Sequence, residues 1–273
     1  MVLPETGDEP QLHGRARFEA ALAAGPTDGA RSADVATALA LAESPIARMA
    51  EVMYGSNAVF VLEFNAADAL SPGQPMRAVY KPVRGERPLW DFPRHTLYLR
   101  EVAAYLVDAA LGLGHVPPTV LRDGPLGPGS VQLYVHGSRR LPDDHETEAI
   151  ERSLRDVAML DALINNADRK RSHLLLGSDM RIRAIDNALS FLPYPRQRTA
   201  LIGLGGTPLP APSRKRLRRL VAHGDSLKVL CERLSRLLSQ KEVDAFAARA
   251  LELHADPVYP LLDDWDGRPF EWW

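Results

Sequence analysis

Residues 164–187 read INNADRKRSHLLLGSDMRIRAIDN, and this stretch carries the clearest pattern of structure in the chain. Two short apolar runs, Leu174–Leu176 and Ile182–Ile185, flank a Gly-Ser-Asp turn, which predicts a β-hairpin. Asp168 stands before the first of these strands, and Asp186 follows the second. Because the two outer ends of a hairpin lie side by side, we expect both carboxylates at the same end of the ribbon.

A second hairpin is predicted upstream of this stretch. Extended runs from Ala58 to Phe64 and from Met76 to Lys81 are separated by a loop rich in Pro and Gly. Pro82 cannot donate to a β ladder, so the second strand is expected to end there and to leave the Lys81 ammonium at its terminus. Lys81 is also the only lysine in the first 169 residues, since nearly all basic residues of this chain are arginine.

Helical patterns surround the two hairpins. Apolar residues recur from Val102 at offsets of three, four and seven, which predicts a helix, and Glu101 lies at the border of its apolar stripe. Strands are expected at 119–122 and 131–135. After a capping-box pattern in the segment 143–146, the chain is mainly helical, apart from the hairpin and an irregular stretch that follows it.

This order of elements predicts an α+β fold with two lobes, a small antiparallel sheet lobe and a mainly helical lobe, with the cleft between them. We expect a loosely packed helical extension at 1–50, a sheet lobe with one helix at 51–137, and a helical lobe at 138–273. Asp168 and Asp186 belong to the helical lobe, and Lys81 belongs to the sheet lobe.

Composition excludes several classes of protein. The 273 residues include 33 basic and 35 acidic side chains, a net charge of -2, so the broad positive field of a nucleic-acid-binding protein is not expected. Cys231 is the single cysteine, which excludes an internal disulfide and is typical of a reducing compartment. The sequence contains neither a long apolar run nor a secretory signal, so we expect a cytoplasmic protein without a transmembrane segment.

The charged residues at the predicted cleft point to phosphoryl transfer. That chemistry needs a cation on the nucleotide phosphates, carboxylates that hold magnesium, and a carboxylate near the attacking hydroxyl. Lys81 supplies the cation, Glu101 can pair with it, and Asp168 and Asp186 can share one phosphate and its metal. Each of these residues has an ordinary alternative, because a strand lysine is usually solvent-exposed and Asp and Asn are common in turns.

Five segments, in this order, resemble type II phosphatidylinositol 4-kinases: Val79–Pro82, Leu99–Asp108, Gly129–Val135, Asn166–Arg169 and Ala184–Phe191. The resemblance covers roughly residues 52–200. It identifies the chain as similar to an uncharacterised actinobacterial branch of the phosphatidylinositol 3-/4-kinase-like superfamily. The resemblance implies a protein-kinase-like fold, ATP as a substrate, and Mg²⁺, with Mn²⁺ as an alternative.

The resemblance also implies roles for individual residues. Lys81 would bind the α and β phosphates, and Glu101 would orient it. Asp168 would accept or orient the acceptor hydroxyl, and Asp186 would ligate the metal. Ser56 in a glycine turn would cover the phosphates, and the backbone at Gln132 and Tyr134 would hold the adenine.

Two departures from the family pattern limit what the resemblance implies. His173 stands where the family usually has a metal-binding asparagine, and imidazole is a poor ligand for magnesium. His173 would then contact a phosphate, bind a softer metal, or mark weakened activity. The segment Trp90–Pro93 replaces the cysteine-rich segment that anchors the animal lipid kinases to membranes, so a phosphoinositide substrate does not follow from the resemblance.

The sequence therefore does not decide which acceptor is phosphorylated or whether the protein turns over ATP. A lipid headgroup, a soluble small molecule and a protein side chain all present hydroxyls, and an anionic acceptor would suit Arg196 and Arg198. The basic run 214–219 would suit an anionic lipid surface through peripheral contact, or would simply be a solvated helix face. Alternatives from other classes are an ATP-binding pseudokinase without turnover and nucleotidyl transfer to protein.

Overall fold

The computed structural model of the chain describes residues 32–52, 57–65, 75–138 and 147–270. The N-terminal part consists of α1 (Ser32–Glu43), β1 (Ile46–Val52), β2 (Val59–Phe64), β3 (Arg77–Pro82), α2 (Leu97–Leu111), β4 (Thr119–Gly124) and β5 (Gly127–Leu133). The C-terminal part consists of α3 (Glu148–Ile164), β6 (Leu174–Leu176), β7 (Ile182–Ala184), α4 (Ala211–Ala222), α5 (Ser226–Leu234) and α6 (Gln240–Ala255). Short 3-10 turns lie at Val83–Gly85, Arg171–His173 and Ile202–Leu204.

The five strands of the N-terminal part form one antiparallel sheet in the order β1-β2-β3-β5-β4. The predicted hairpin pairs β2 with β3, and on the other side of β3 the residue opposite Lys81 is Ser130 of β5. The second predicted hairpin is also present, since Leu174 pairs with Ala184 in β6 and β7. The fold is therefore α+β with two lobes, as the sequence predicts.

Strand β1 is the element that the sequence pattern does not reveal. Its residues IARMAEV include alanine, arginine, methionine and glutamate, all good helix formers, and all but the first are exposed at the edge of the sheet. Such a strand has no alternation of buried and exposed residues. The expected boundary between residues 50 and 51 falls inside β1, so part of the presumed extension pairs with β2.

Each lobe has its own core. The inner face of the sheet buries Leu62, Ala78 and Tyr80 against Leu41 of α1. In the larger lobe, residues of α2, α3, α4, α5 and α6 form one continuous cluster that includes Phe246. Glycine at position 129 lets the two central strands approach closely, because a Cβ there would lie 2.5 Å from the Lys81 carbonyl oxygen.

Helix α2 connects the two lobes. Every residue from Leu97 to Asp108 is buried, because α2 packs on β4 and β5 on one side and on α3, α4 and α5 on the other. Its C-terminus ends at Gly112 in the left-handed conformation (φ 64°), which a glycine adopts at little cost. The position of α2 therefore fixes where Glu101 lies relative to both lobes.

Among the residues that the structure describes, no helix combines the length and the apolar character that a membrane span requires. Residues 1–31 of the expected helical extension, the predicted capping box at 143–146 and Ser56 lie outside the described residues. The helix expected after that capping box is present, and it begins at Glu148 with Thr147 as its N-cap; the Thr147 side chain accepts a hydrogen bond from the Ile150 amide.

Candidate active site

Lys81 joins the two lobes through its ammonium group. It lies near the end of β3, where Pro82 closes the strand. Its Nζ donates to Oε1 of Glu101 on α2 and, over 2.7 Å, to Oδ1 of Asp186 just after β7. These three residues come from three separate parts of the sequence, and the structure brings them together as the sequence analysis expects.

Glu101 is held from two directions. Its side chain is only 3% exposed, and its second oxygen, Oε2, accepts a hydrogen bond of 3.0 Å from the backbone amide of Asn187. One carboxylate therefore fixes both the Lys81 ammonium and the backbone that follows Asp186. A sequence pattern that places Glu101 at the border of an apolar stripe does not predict this burial.

The charges of Lys81 and of its two carboxylate partners stabilise each other. Burial disfavours the Lys81 ammonium, but the carboxylates of Asp186 and Glu101 outweigh that effect and raise its pKa above the ordinary value. The Lys81 ammonium likewise holds the pKa of Asp186 well below its usual range. Asp186 is thus an anion at neutral pH, and half of its side chain remains exposed to solvent and available to a ligand.

The backbone at Asp186 has a left-handed conformation, with φ 59°. Asp and Asn adopt this region more readily than most other residues, which gives Asp186 a structural as well as a chemical reason to occupy the position. The turn directs the chain from β7 back towards α2, where Asn187 meets Glu101.

Asp168 lies on the loop between α3 and β6, close enough to Asp186 for the second carboxylate to affect its ionisation. Burial raises its pKa above the ordinary value, although the Lys170 ammonium, 2.9 Å from Asp168 Oδ2, opposes the shift. A carboxylate with a raised pKa is a better proton acceptor than an ordinary one. Lys170 also belongs to this site, although no pattern in the sequence indicates a role for it.

A buried polar network under the loop keeps Asp168 in place. The guanidinium of Arg169 is bidentate to Asp161 of α3, with both nitrogen-to-oxygen distances at 3.0 Å, and also donates to Asn187 and to the Ile185 carbonyl. Arg169, Asp161 and Asn187 are all fully buried. Asn166 donates to Asp161 and accepts from the Asp168 amide, each over 3.0 Å.

This network links the loop before β6 to the turn after β7, so Asp168 and Asp186 are positioned by the same buried arginine. The sequence contains one signal for it, the Asp168-Arg169 pair beside Asn166. The partner Asp161 could not have been identified, since an aspartate near the end of a helix is normally exposed.

His173 borders the same cluster. It is 9% exposed, and its Nε2 lies 3.4 Å from Oδ2 of Asp186. Burial lowers its pKa to about 4, although the nearby Asp186 opposes that shift. The imidazole is therefore neutral at neutral pH, with a ring nitrogen directed at the carboxylate that is expected to bind a metal.

The donors around Asp186 fit a divalent cation that is shared with phosphate oxygens. Within the described residues, no group of three or more His, Cys, Asp or Glu side chains is arranged to hold a metal by itself. Magnesium in nucleotide sites is usually held by one or two carboxylates together with substrate phosphates, so a complete protein cage is not required. Asp186 suits this role, and His173 suits magnesium less well than a softer ion.

The expected adenine-binding residues lie on or beside β5. The Gln132 side chain is buried and donates 2.9 Å to Thr119, and its backbone lies between β3 and β4. The Tyr134 amide donates 2.9 Å to the Arg77 carbonyl, so that N–H is already engaged. Contact of either backbone with adenine stays a prediction, as does the role of Ser56.

Arg196 and Arg198, in the segment after Asp186, already have partners. Arg196 lies 3.4 Å from Asp91 and stacks over Trp90, and Arg198 donates to the Asp266 carbonyl and stacks over Phe270. Both also line a cavity of about 730 Å³ in the helical lobe. Among the described residues, none of those predicted to act in catalysis or to bind nucleotide or metal lines that cavity, so we identify the candidate site by its converging charges.

Known proteins resemble this chain in fold and in sequence. No protein-family model matches the chain. The Golgi casein kinase superposes with a TM-score of 0.53 at 18% identity, over 82% of this chain and 74% of that one. A structure of that kinase with Mn/ADP bound gives the same TM-score and identity over 81% of this chain and 74% of its own.

At 18% sequence identity, the similarity to these structures shows only the fold, which is two-lobed and kinase-like. The relationship in sequence is to protein Rv2133c of Mycobacterium tuberculosis strain H37Rv, which is 33% identical over 268 residues. That match covers 85% of this chain and 93% of the mycobacterial protein. The chain therefore belongs to the family of the mycobacterial protein Rv2133c.

Proposed function

We propose that this protein is an ATP-dependent phosphotransferase that moves the γ-phosphoryl group to a hydroxyl. The observation that carries the proposal is the Lys81 ammonium held between Glu101 and Asp186, with Asp168 on the adjoining loop. This is the set of charges that phosphoryl transfer requires, and it lies where the two lobes meet.

Each side chain has a distinct part in the proposed reaction. Lys81 binds the nucleotide phosphates, and Glu101 keeps its ammonium directed at them. Asp168 receives the proton of the acceptor hydroxyl as that oxygen bonds to the γ-phosphorus and the bond to the β-phosphate oxygen breaks. Lys170, paired with Asp168, adds a positive charge beside the group in transfer.

Asp186 would hold the divalent ion, Mg²⁺ or Mn²⁺, and His173 would add a ligand that suits Mn²⁺ better than Mg²⁺. When bound, that ion would neutralise the charge that develops on the phosphate oxygens. The structure of the Golgi casein kinase with Mn/ADP bound supports nucleotide and metal binding by this fold.

The finer assignment, to the phosphatidylinositol 3-/4-kinase-like enzymes, is part of the proposal. It is supported by the order of the motifs around Lys81, Glu101, Asp168 and Asp186. The acceptor is a hydroxyl on a lipid, a small molecule or a protein. We assign residues 51–137 to the nucleotide-binding lobe, and we extend this lobe to include all of β1, which begins at Ile46.

A pseudokinase is the second candidate, and His173 favours it. An imidazole 3.4 Å from the Asp186 carboxylate occupies the position where the family pattern expects a hard oxygen ligand for magnesium. Such a protein would bind ATP and gain stability from it without turnover.

Labelled ATP distinguishes these candidates. The full chain is incubated with a cell extract, Mg²⁺ or Mn²⁺, and ATP carrying the label at either the γ or the α position. The proposal predicts γ-label on an acceptor with the parent and none with Asp186→Ala. Asp264→Ala, which removes a carboxylate that is 95% exposed, should retain the parent's transfer.

Other outcomes contradict the proposal. ATP binding without transfer of either label would establish the pseudokinase, and transfer of the α-label would establish nucleotidyl transfer. Equal γ-transfer by the parent and by Asp186→Ala would show that the chemistry occurs at a different site.

A further inference from the structure

A second concentration of charge lies on the helical lobe. It is separate from the Lys81 cluster, by which we mean Lys81, Glu101, Asp168 and Asp186. A hollow of about 350 Å³ opens between α4 and the end of α6. Arg214, Lys215 and Arg218 of α4 and His254 of α6 line it, with Leu217 among its apolar residues. None of the described residues that line it is acidic, although acidic residues outnumber basic ones in the whole chain.

Helix α4 presents these side chains from a fixed position. Leu217 and Leu220 are buried in the core of the lobe, and the Ser213 hydroxyl donates 2.8 Å to Asp156. Arg216 reaches the opposite way and donates to the Gly112 carbonyl at the end of α2. Arg216 therefore has a structural role, whereas the basic residues at the hollow project from the other side of the helix.

Several arginines elsewhere on this protein form ion pairs that the basic residues of the hollow do not form with any described residue. Arg152, Arg155 and Arg183 each pair with a carboxylate four residues earlier along the chain. Within the described part of the chain, no carboxylate forms an ion pair with Arg214, Lys215 or Arg218. Like charges four residues apart, such as Arg214 and Arg218, destabilise a helix, so the arrangement does not serve stability.

We propose that this hollow binds a phosphate-bearing anion with at least two negative charges. Two guanidinium groups and an ammonium on one rigid helix provide the forked and the single donors that phosphate oxygens accept. The volume lies at the lower end of the range of ligand sites, about 300–1,000 Å³, so it suits a phosphorylated headgroup or small molecule. The ligand is either free in solution or the headgroup of a lipid.

The hollow shares no residue with the Lys81 cluster, so this inference does not depend on the proposed catalytic function. Binding is tested with inorganic pyrophosphate, titrated calorimetrically into the full chain at about 0.1 M salt, where long-range charge effects are screened. The parent is compared with Arg214→Gln/Arg218→Gln. The matched control is Lys228→Gln/Arg236→Gln, which removes two exposed charges from or next to α5.

We expect the parent to show a pyrophosphate-binding event whose affinity falls at least about tenfold in Arg214→Gln/Arg218→Gln and does not change in the control. Circular dichroism during heating verifies that all three proteins are folded, which the exposure of the substituted arginines leads us to expect. Equal affinity of the parent and the Arg214→Gln/Arg218→Gln protein would overturn the proposal. So would a parent that binds neither pyrophosphate nor the vesicles described next.

A second arm identifies the source of the phosphate. The same three proteins are sedimented with vesicles of phosphatidylcholine alone and with vesicles that also contain phosphatidic acid. Sedimentation that requires phosphatidic acid and both arginines would support a lipid headgroup as the ligand. Pyrophosphate binding that requires both arginines, without sedimentation, would support a soluble ligand. If all three proteins sediment with phosphatidic acid to the same extent, the vesicles are not bound at the hollow, which would count against the proposal.

Discussion

Helix α2 is held in the helical lobe by a buried ion pair between Arg100 and Glu242, and breaking that pair should cost considerable stability. Arg100 donates to Oε1 of Glu242 at the start of α6, across 142 residues of sequence. Their side chains are 1% and 7% exposed. The other Glu242 oxygen, Oε2, accepts from the amide of Ser239, over 2.9 Å, and from its hydroxyl, over 2.8 Å.

The substitution Glu242→Gln tests this pair with the smallest change in shape. Glutamine has one acceptor oxygen, so it can satisfy Arg100 or Ser239 but not both. Removal of one partner from a buried ion pair costs about 3–5 kcal/mol, because the other charge is left in the interior. Arg100 retains the Ser190 carbonyl at 2.5 Å and the Thr96 hydroxyl at 3.3 Å, so we expect the lower end, about 3 kcal/mol.

Equilibrium unfolding in urea measures the effect as a change in the free energy of unfolding. The control is Glu148→Gln, which breaks an exposed pair with Arg152 and should cost at most about 0.5 kcal/mol. Arg100→Met/Glu242→Gln removes both charges and should be less destabilised than the sum of the single variants by about 2 kcal/mol. A cost for Glu242→Gln equal to that of the control would refute the role given to the pair.

Two further predictions concern the strand that carries Lys81 and the residue that pairs with Asp168. Gly129→Ala should lower the free energy of unfolding by about 1–3 kcal/mol, because the added Cβ would meet backbone atoms of Lys81 and Pro82. The control Gly203→Ala should not lower it, since no atom lies within 4 Å of the added Cβ. Equal melting temperatures for the two variants would contradict this prediction. Lys170→Met removes the cation that opposes the raised pKa of Asp168, so the pKa rises further and the carboxylate is protonated at higher pH. In a pH profile of the rate of γ-label transfer, the acid limb should therefore move to higher pH. An unmoved acid limb would mean that Asp168 is not the base.

Local patterns were sufficient to predict the parts of the fold that position the site. The hairpin around Lys81 and the one that ends at Asp186 both follow from apolar runs bounded by turn residues, and the structure contains both. Lys81 and Asp186 each lie at the end of a strand, but the two strands belong to separate sheets, and Glu101 lies on α2, so their meeting depends on how the lobes pack as well as on strand pairing. The contacts of Lys81 with Glu101 and Asp186 are the result, while their catalytic roles stay predictions.

Other features depended on contacts between distant residues, which a single sequence does not encode in a readable pattern. Arg169 and Asp161 resemble surface residues at the end of a helix, yet both are fully buried in one ion pair. Arg100 is likewise buried within an apolar helix because a glutamate far along the chain neutralises it. Strand β1 was missed for a different reason, since its exposed edge position leaves no alternation to detect.

Nucleotide binding by Lys81 can be measured without knowledge of the acceptor, and it is the decisive test of the proposed site. Mn²⁺ and ADP are titrated together into the full chain, into Lys81→Met, and into Lys228→Gln as a control for the loss of one positive charge. A hydrogen bond from a charged group contributes about 1.5–3 kcal/mol, so Lys81→Met should bind at least about tenfold more weakly while the control matches the parent. Unchanged affinity in Lys81→Met, in protein shown by circular dichroism to be folded, would contradict the account.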